Sequence, residues 1–182
     1  MEPINHFFEW AKNNNWQVDL SAVEKNLPEQ ILKRYGKLPD AYKAFYRQLN
    51  LCSNVGDTCW FLLEEDFLEN EDDAFSWNSF EQMSLEAAEG DTNLENEVKL
   101  FWNAHLPIMM SVGGCYEYYA ITLNDGNIVH GSEPEFEESS IVADSFAEFF
   151  TENRGWRNSD KLKLIRKFAI IRKTFQKGID YG

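Results

Sequence analysis

Between Tyr116 and Val129 the chain carries the pattern of a strand, a turn and a second strand. Tyr119, Ile121 and Leu123 alternate with Ala120, Thr122 and Asn124, then Asp125-Gly126 supplies residues that tolerate positive φ, and Ile128-Val129 resumes the apolar run. A β-hairpin is predicted here. Cys59-Trp60-Phe61-Leu62-Leu63 is a compact aromatic-rich run suited to a further strand, although a run so short does not separate strand from buried helix by period alone. Gly113-Gly114, ahead of the hairpin, marks a turn or a close approach of backbone.

Helical signals flank this region. Phe7, Trp10 and Ala11 stand at i, i+3 and i+4, and Asn13-Asn14-Asn15 suits the end of that segment. Ser21 with Glu24 has capping-box spacing, Pro28 fits the first turn of another segment, and Gly36 stands where a C-terminal glycine belongs. Pro39 begins a segment with Tyr42, Phe45, Tyr46 and Leu49 on one face, so two to three short helices are expected in the first fifty residues. Weaker helical patterns run from Trp77 to Ala88 and from Leu94 to Ala104. Ser145 with Glu148 forms a second capping box before Phe146, Phe149 and Phe150, and Gly155 lies past the end of that helix. About residues 159–177, Leu164, Ile165, Phe168, Ile171 and Phe175 form one stripe with cations opposite, which reads as a basic amphipathic helix. Neither a repeat nor a linker divides the 182 residues. The expected fold is a single α+β domain, a central, mostly antiparallel sheet with helices packed at the N- and C-terminal ends.

Charge is segregated along the chain. The formal net charge is −14, yet residues 154–182 hold nine basic and two acidic side chains, a balance of +7 against −21 for the rest. An acidic body of that size disfavours direct contact with nucleic-acid phosphates or anionic lipid. The longest apolar stretch, around Leu106 to Val112, is far short of the roughly 20 residues a membrane helix needs. Three cysteines, Cys52, Cys59 and Cys115, cannot all pair within the chain, and the start carries no secretory signal, so a reducing cytoplasm is the expected location.

Catalytic chemistry leaves little trace. His6, His105 and His130 are scattered singly, without metal-ligand spacing, and Gly113-Gly114 is not followed by a phosphate-cradling motif. We expect no enzyme activity, no metal and no cofactor; a small hydrolase built on His130 or Cys115 is the weakest reading. The acidic run Glu64, Glu65, Asp66, Glu71, Asp72 and Asp73 lacks EF-hand spacing and reads as a solvated face or as a surface for a partner. Glu133, Glu135, Glu137 and Glu138 form a second such patch. Trp60, Trp77, Trp102 and Tyr116 admit two roles, core or partner anchor, because aromatic side chains serve both. The basic segment 159–177 reads as a helix docked on its own acidic domain or as a surface contact.

In order along the chain, Leu38-Pro39-Asp40-Ala41-Tyr42-Lys43-Ala44-Phe45, Asn50, Trp60-Phe61-Leu62, Val112-Gly113-Gly114 leading into Tyr119-Ala120-Ile121, Asp125-Gly126, and Val142-Ala143-Asp144-Ser145-Phe146-Ala147-Glu148-Phe149-Phe150 resemble the SUKH superfamily over about residues 20–152. That grouping includes fungal cell-wall synthesis regulators and many bacterial toxin-immunity proteins. The resemblance implies a non-enzymatic binding domain. Its bacterial members imply an antidote to a cognate toxin, often a nuclease, and such toxins tend to be cationic, which suits an acidic body. The fungal members imply the alternative, a regulatory scaffold that recruits proteins. Glu64, Glu65, Asp66, Glu71, Asp72 and Asp73, then Glu135, Glu137 and Glu138, with an aromatic anchor among Trp60, Trp77 and Tyr116, are the candidate contacts with the toxin.

Overall fold

A computed structural model describes residues 2–68 and 75–151. In chain order it contains α1 (Glu2–Asn13), β1 (Trp16–Leu20), α2 (Glu29–Tyr35), α3 (Asp40–Tyr46), β2 (Leu49–Asn54), β3 (Cys59–Phe61) and α4 (Glu64–Phe67). There follow α5 (Ser79–Ala87), α6 (Thr92–Ala104), β4 (His105–Ser111), β5 (Glu117–Thr122), β6 (Ile128–Ser132), β7 (Ser140–Ala143) and α7 (Phe146–Phe149). The seven strands form one sheet in the order β1 to β7, each antiparallel to its chain neighbour. The expected α+β class with a central antiparallel sheet is the class observed. The basic helix expected over residues 159–177 and Gly155 lie outside the described residues.

Local chemistry accounts for most element ends. Asn15 stands at φ +61, a left-handed conformation asparagine tolerates, and it closes α1 before β1 begins. Gly36 at φ +65 ends α2, and its amide donates to the Leu32 carbonyl. Asp91 caps α6 by accepting from the amides of Asn93 and Leu94. Ser145 Oγ accepts from the Glu148 amide at 3.2 Å, while the Glu148 carboxylate returns to the amide of Asp144, one residue earlier than a standard capping box. Pro107 removes a ladder donor from a central strand, and the register shifts just there, between Pro107 and Met109.

Three sequence expectations change. Ser21 starts no helix: its hydroxyl donates to the Val23 carbonyl at 2.7 Å, and residues 21–28 run without regular structure between β1 and α2. The first fifty residues hold three helices, as expected, but also β1 and the start of β2. The central hairpin turns through a longer loop than a two-residue turn: Gly126 at φ +73 is the position with positive φ, its amide donates to the Thr122 carbonyl, and Thr122 Oγ1 accepts from the Asn127 amide.

Register assigns side chains to the two sides of the sheet. Paired residues share a side, so Phe61, Met109, Tyr119 and His130 lie on one and Ser53, Trp60, Met110, Tyr118 and Gly131 on the other. The first side is covered by an aromatic cluster around Phe61: Phe45 at 4.9 Å between ring centroids, Phe7 at 5.6 Å and Phe150 at 6.0 Å. On the second side Tyr118 meets Trp102 of α6 at 4.9 Å and Phe80 of α5 at 6.2 Å. The Tyr118 ring crosses directly over Gly131, where an added Cβ would lie 2.5 Å from it, and its hydroxyl donates to the Phe136 carbonyl. Glycine at that position is a packing requirement.

Candidate interaction surface

The two sides of the sheet are not covered equally. Over β1 to β3 the second side carries Gln17, Asp19 and Leu51, all exposed, with Leu51 at 41%. The helices α5 and α6 cover Tyr118 and its neighbours but leave this part bare. A groove of about 390 Å³ runs along it. Its floor is Leu51, Ser53 and Trp60, and its walls bring in Asp57, Glu65, Asp66 and Phe75; among the described residues no basic side chain lines it.

Each wall is built by local structure. Asn54, at the end of β2, accepts from the amides of Thr58 and Cys59 and donates to Thr58 Oγ1, folding the β2–β3 turn and presenting Asp57 at φ +50. The opposite wall is α4, a single turn begun by its own side chain: Asp66 Oδ2 accepts from the Leu63 amide at 2.7 Å. Where a solvated face is expected of the acidic run, Asp66 is partly buried. Burial, partly offset by the Leu63 amide and by the neighbouring Trp60 indole, pushes its carboxyl up to about 6. Trp60 Nε1 is itself buried, and among the described residues no acceptor stands in hydrogen-bond geometry with it.

The groove therefore unites three of the sequence candidates, Trp60, Glu65 and Asp66. Glu64 turns away to pair with Lys25, 2.9 Å between Nζ and Oε2. Tyr116 is half-buried and reaches the groove through Phe75, whose ring stands edge-on to it at 5.3 Å. Trp77 is 6% exposed and its ring is packed against Tyr35 and Phe67, which is the position of a core residue and leaves no anchor surface. Trp102 is likewise core, and its Nε1 donates to Glu137 at 2.7 Å, so Glu137 holds the β6–β7 connection onto α6. The patch Glu135, Glu137 and Glu138 lies beyond Tyr118 and lines no part of the groove. Glu71, Asp72 and Asp73 lie outside the described residues. Asp57, Leu51 and Phe75 were missed. The signal for Asp57 was Asn54-Val55-Gly56-Asp57, a turn composition directly before a strand run.

Chemistry of the catalytic kind is poorly served. Among the described residues no three His, Cys, Asp or Glu side chains are placed to hold a metal ion. His130 does lie beside a carboxylate, Nε2 to Glu117 Oε1 at 3.8 Å, and the same side of the sheet carries Cys59 and Ser111. Burial raises the thiols, however, that of Cys52 to about 12 and that of Cys59 further, so neither supplies a thiolate nucleophile at neutral pH. Cys115 is exposed. No helix among the described residues is long and apolar enough to cross a membrane.

Comparison with known proteins gives one family. No curated protein matches. The model of the SMI1 / KNR4 family (SUKH-1) matches residues 16–152, a span that runs from β1 through α7 and contains every strand of the sheet and every residue lining the groove. The chain belongs to the SMI1 / KNR4 (SUKH-1) family.

Proposed function

We propose that this protein is an immunity protein that neutralises a cationic toxin by direct, stoichiometric binding, and that it presents the groove side of β1–β3 to that partner. Membership of the family supports an immunity or regulatory role through protein interaction, at the level of the family. The observation that carries the finer reading is the groove itself. It is an open sheet face with an aromatic floor at Trp60, acidic walls at Asp57, Glu65 and Asp66, and no basic side chain among the described residues. Aromatic side chains are enriched at the energetic centre of interfaces, with polar groups at the rim. A lysine or arginine entering this groove meets a carboxylate held partly out of water and an indole face, both of which favour a cation.

The test is coexpression with any toxin domain encoded beside the gene. Rescue of growth and a 1:1 complex are the expected results, with Trp60→Ala and the pair Asp57→Lys, Glu65→Lys each losing rescue while the protein remains folded by circular dichroism. Full rescue by both variants moves the interface elsewhere, and absence of binding by the wild-type chain ends the immunity reading.

A further inference from the structure

Behind the groove, α2 and α3 bury three tyrosine hydroxyls. Tyr42 and Tyr46 stand one turn apart on α3, each 1% exposed and with ring centroids 6.4 Å apart, and Tyr35, 3% exposed, closes α2. Among the described residues none of the three hydroxyls has a hydrogen-bond partner. Tyr46 packs on Phe67 at 6.2 Å, and Phe67 follows Asp66 in α4. Asp66 lies within electrostatic reach of both Tyr42 and Tyr46, and Tyr35 within reach of Tyr42. The hydroxyls therefore gather behind a carboxylate that also lines the groove. Trp60 Nε1, beside Asp66, is the fourth unpaired buried donor of the group.

A buried hydroxyl without a partner is costly, and four unpaired donors about one carboxylate are the setting in which folded proteins hold ordered water. Burial raises all three phenols, so each keeps its proton and has a hydrogen to give. Other charges near this site are accounted for. Glu64, close to Tyr46, is paired with Lys25; Arg34 and Glu81, close to Tyr35, are paired with each other; Glu65 opposes ionisation of Asp66, and Asp57 stands on the opposite wall of the groove. We propose that ordered water behind the groove joins the Tyr42 and Tyr46 hydroxyls and the Trp60 indole N–H to the Asp66 carboxylate, and that this relay holds Asp66 charged at neutral pH. Tyr42 and Tyr46 are then positioning residues: they touch no partner, and they set the charge that a partner's cation meets. That use in recognition rests on the immunity reading, whereas the relay itself does not.

Two measurements on the full chain test the relay. Water-selective cross-relaxation spectra of the wild-type protein need no variant: the Trp60 Nε1 proton should show a direct contact with a long-lived water, and absence of that contact overturns the proposal. The second follows the 13Cγ shift of Asp66 from pH 4 to 8, with the resonance assigned by its loss in Asp66→Asn. A wild-type midpoint of about 6 is expected. Tyr42→Phe and Tyr46→Phe each keep the ring and remove only the hydroxyl, so each should move the midpoint upward, by about 1 pH unit in the double variant, because donors that favour the charged form are lost. An unchanged or lowered midpoint overturns the relay even where the variants are less stable, since a merely structural hydroxyl leaves the titration of Asp66 in place. Urea midpoints at pH 7.5 give a further check: removal of a water-bonded hydroxyl lowers them, and a rise in both single variants marks hydroxyls that were truly unpaired and also overturns the proposal. No toxin enters these measurements, so failure here leaves the immunity reading intact, and failure of that reading leaves the relay testable.

Discussion

Asp66 shows what one buried carboxylate costs. Its acid is raised from the ordinary 3.8 to about 6 by burial, so the folded state prefers the protonated form and holds it more strongly than the unfolded chain does. The stability gained from that preference is complete below pH about 4. It is lost as pH climbs through about 6, and the shift of about 2 units corresponds to about 3 kcal/mol. Asp66→Asn keeps an acceptor for the Leu63 amide while removing the ionisation. The variant is expected to be more stable than wild type by about 1–3 kcal/mol at pH 7.5 and no more stable at pH 4, as read from urea midpoints at both pH values. A difference that does not change between the two pH values excludes ionisation of Asp66 as the cause. Sequence reading grouped Asp66 with its acidic neighbours because charge density says nothing about which member of a run turns inward. The decision is made by α4, whose single turn needs a side chain to cap Leu63, and the residue at the right spacing is Asp66.

At the scale of elements, α5 and α6 are tied to α2 through the guanidinium of Arg34. Arg34 of α2 makes a bidentate pair with Glu81 of α5, at 2.8 and 2.7 Å, and its Nε donates to Asn103 of α6 at 2.9 Å. The same guanidinium lies 5.2 Å from the Tyr35 ring centroid and 5.3 Å from that of Trp77. Glu81 is 9% exposed, so Arg34→Ala leaves a buried carboxylate unpaired and should destabilise by about 3 kcal/mol, whereas Arg34→Met with Glu81→Leu recovers most of the loss. A double-mutant cycle by chemical denaturation gives the coupling, and purely additive losses would refute this account of α2–α5 docking. Such a link is invisible in sequence, where Arg34 and Glu81 are two ordinary surface residues 47 positions apart. What was legible depended on exposure pattern. β5 and β6 announced themselves through alternation and the Asp125-Gly126 turn. β4 showed as an apolar stretch without period, because both of its sides are buried. β7 gave no signal, since this edge strand turns Ile141 outward at 62% exposure and inverts the expected pattern. β1 did alternate, with Trp16 and Val18 inward, but only over five residues beside stronger helical cues.

For the whole molecule the governing quantity is the division of charge, −21 on residues 1–153 against +7 on 154–182. Charge spread over a surface steers association more than it holds a complex together. Association with a cationic partner should therefore slow steeply with added salt while dissociation changes little. Asp57→Lys with Glu65→Lys should reduce the on-rate more than it raises the off-rate, by stopped-flow at two ionic strengths. A salt-independent on-rate contradicts the electrostatic part of the binding proposal. The candidate surface was half-legible for a related reason: acidity and aromatic content stand in the composition, but that Trp60 is half-buried at the groove while Trp77 and Trp102 are core is decided by which part of the sheet α5 and α6 cover. That strand order has a further consequence. Because each strand pairs with its neighbour in the chain, the segments between strands are topologically free to vary, and the longest of them, between β3 and β4, supplies α4 as one wall of the groove. Changes of length or charge in the α4–α5 connection leave every strand pair intact. The rim of the groove can thus be redrawn without refolding the sheet beneath it.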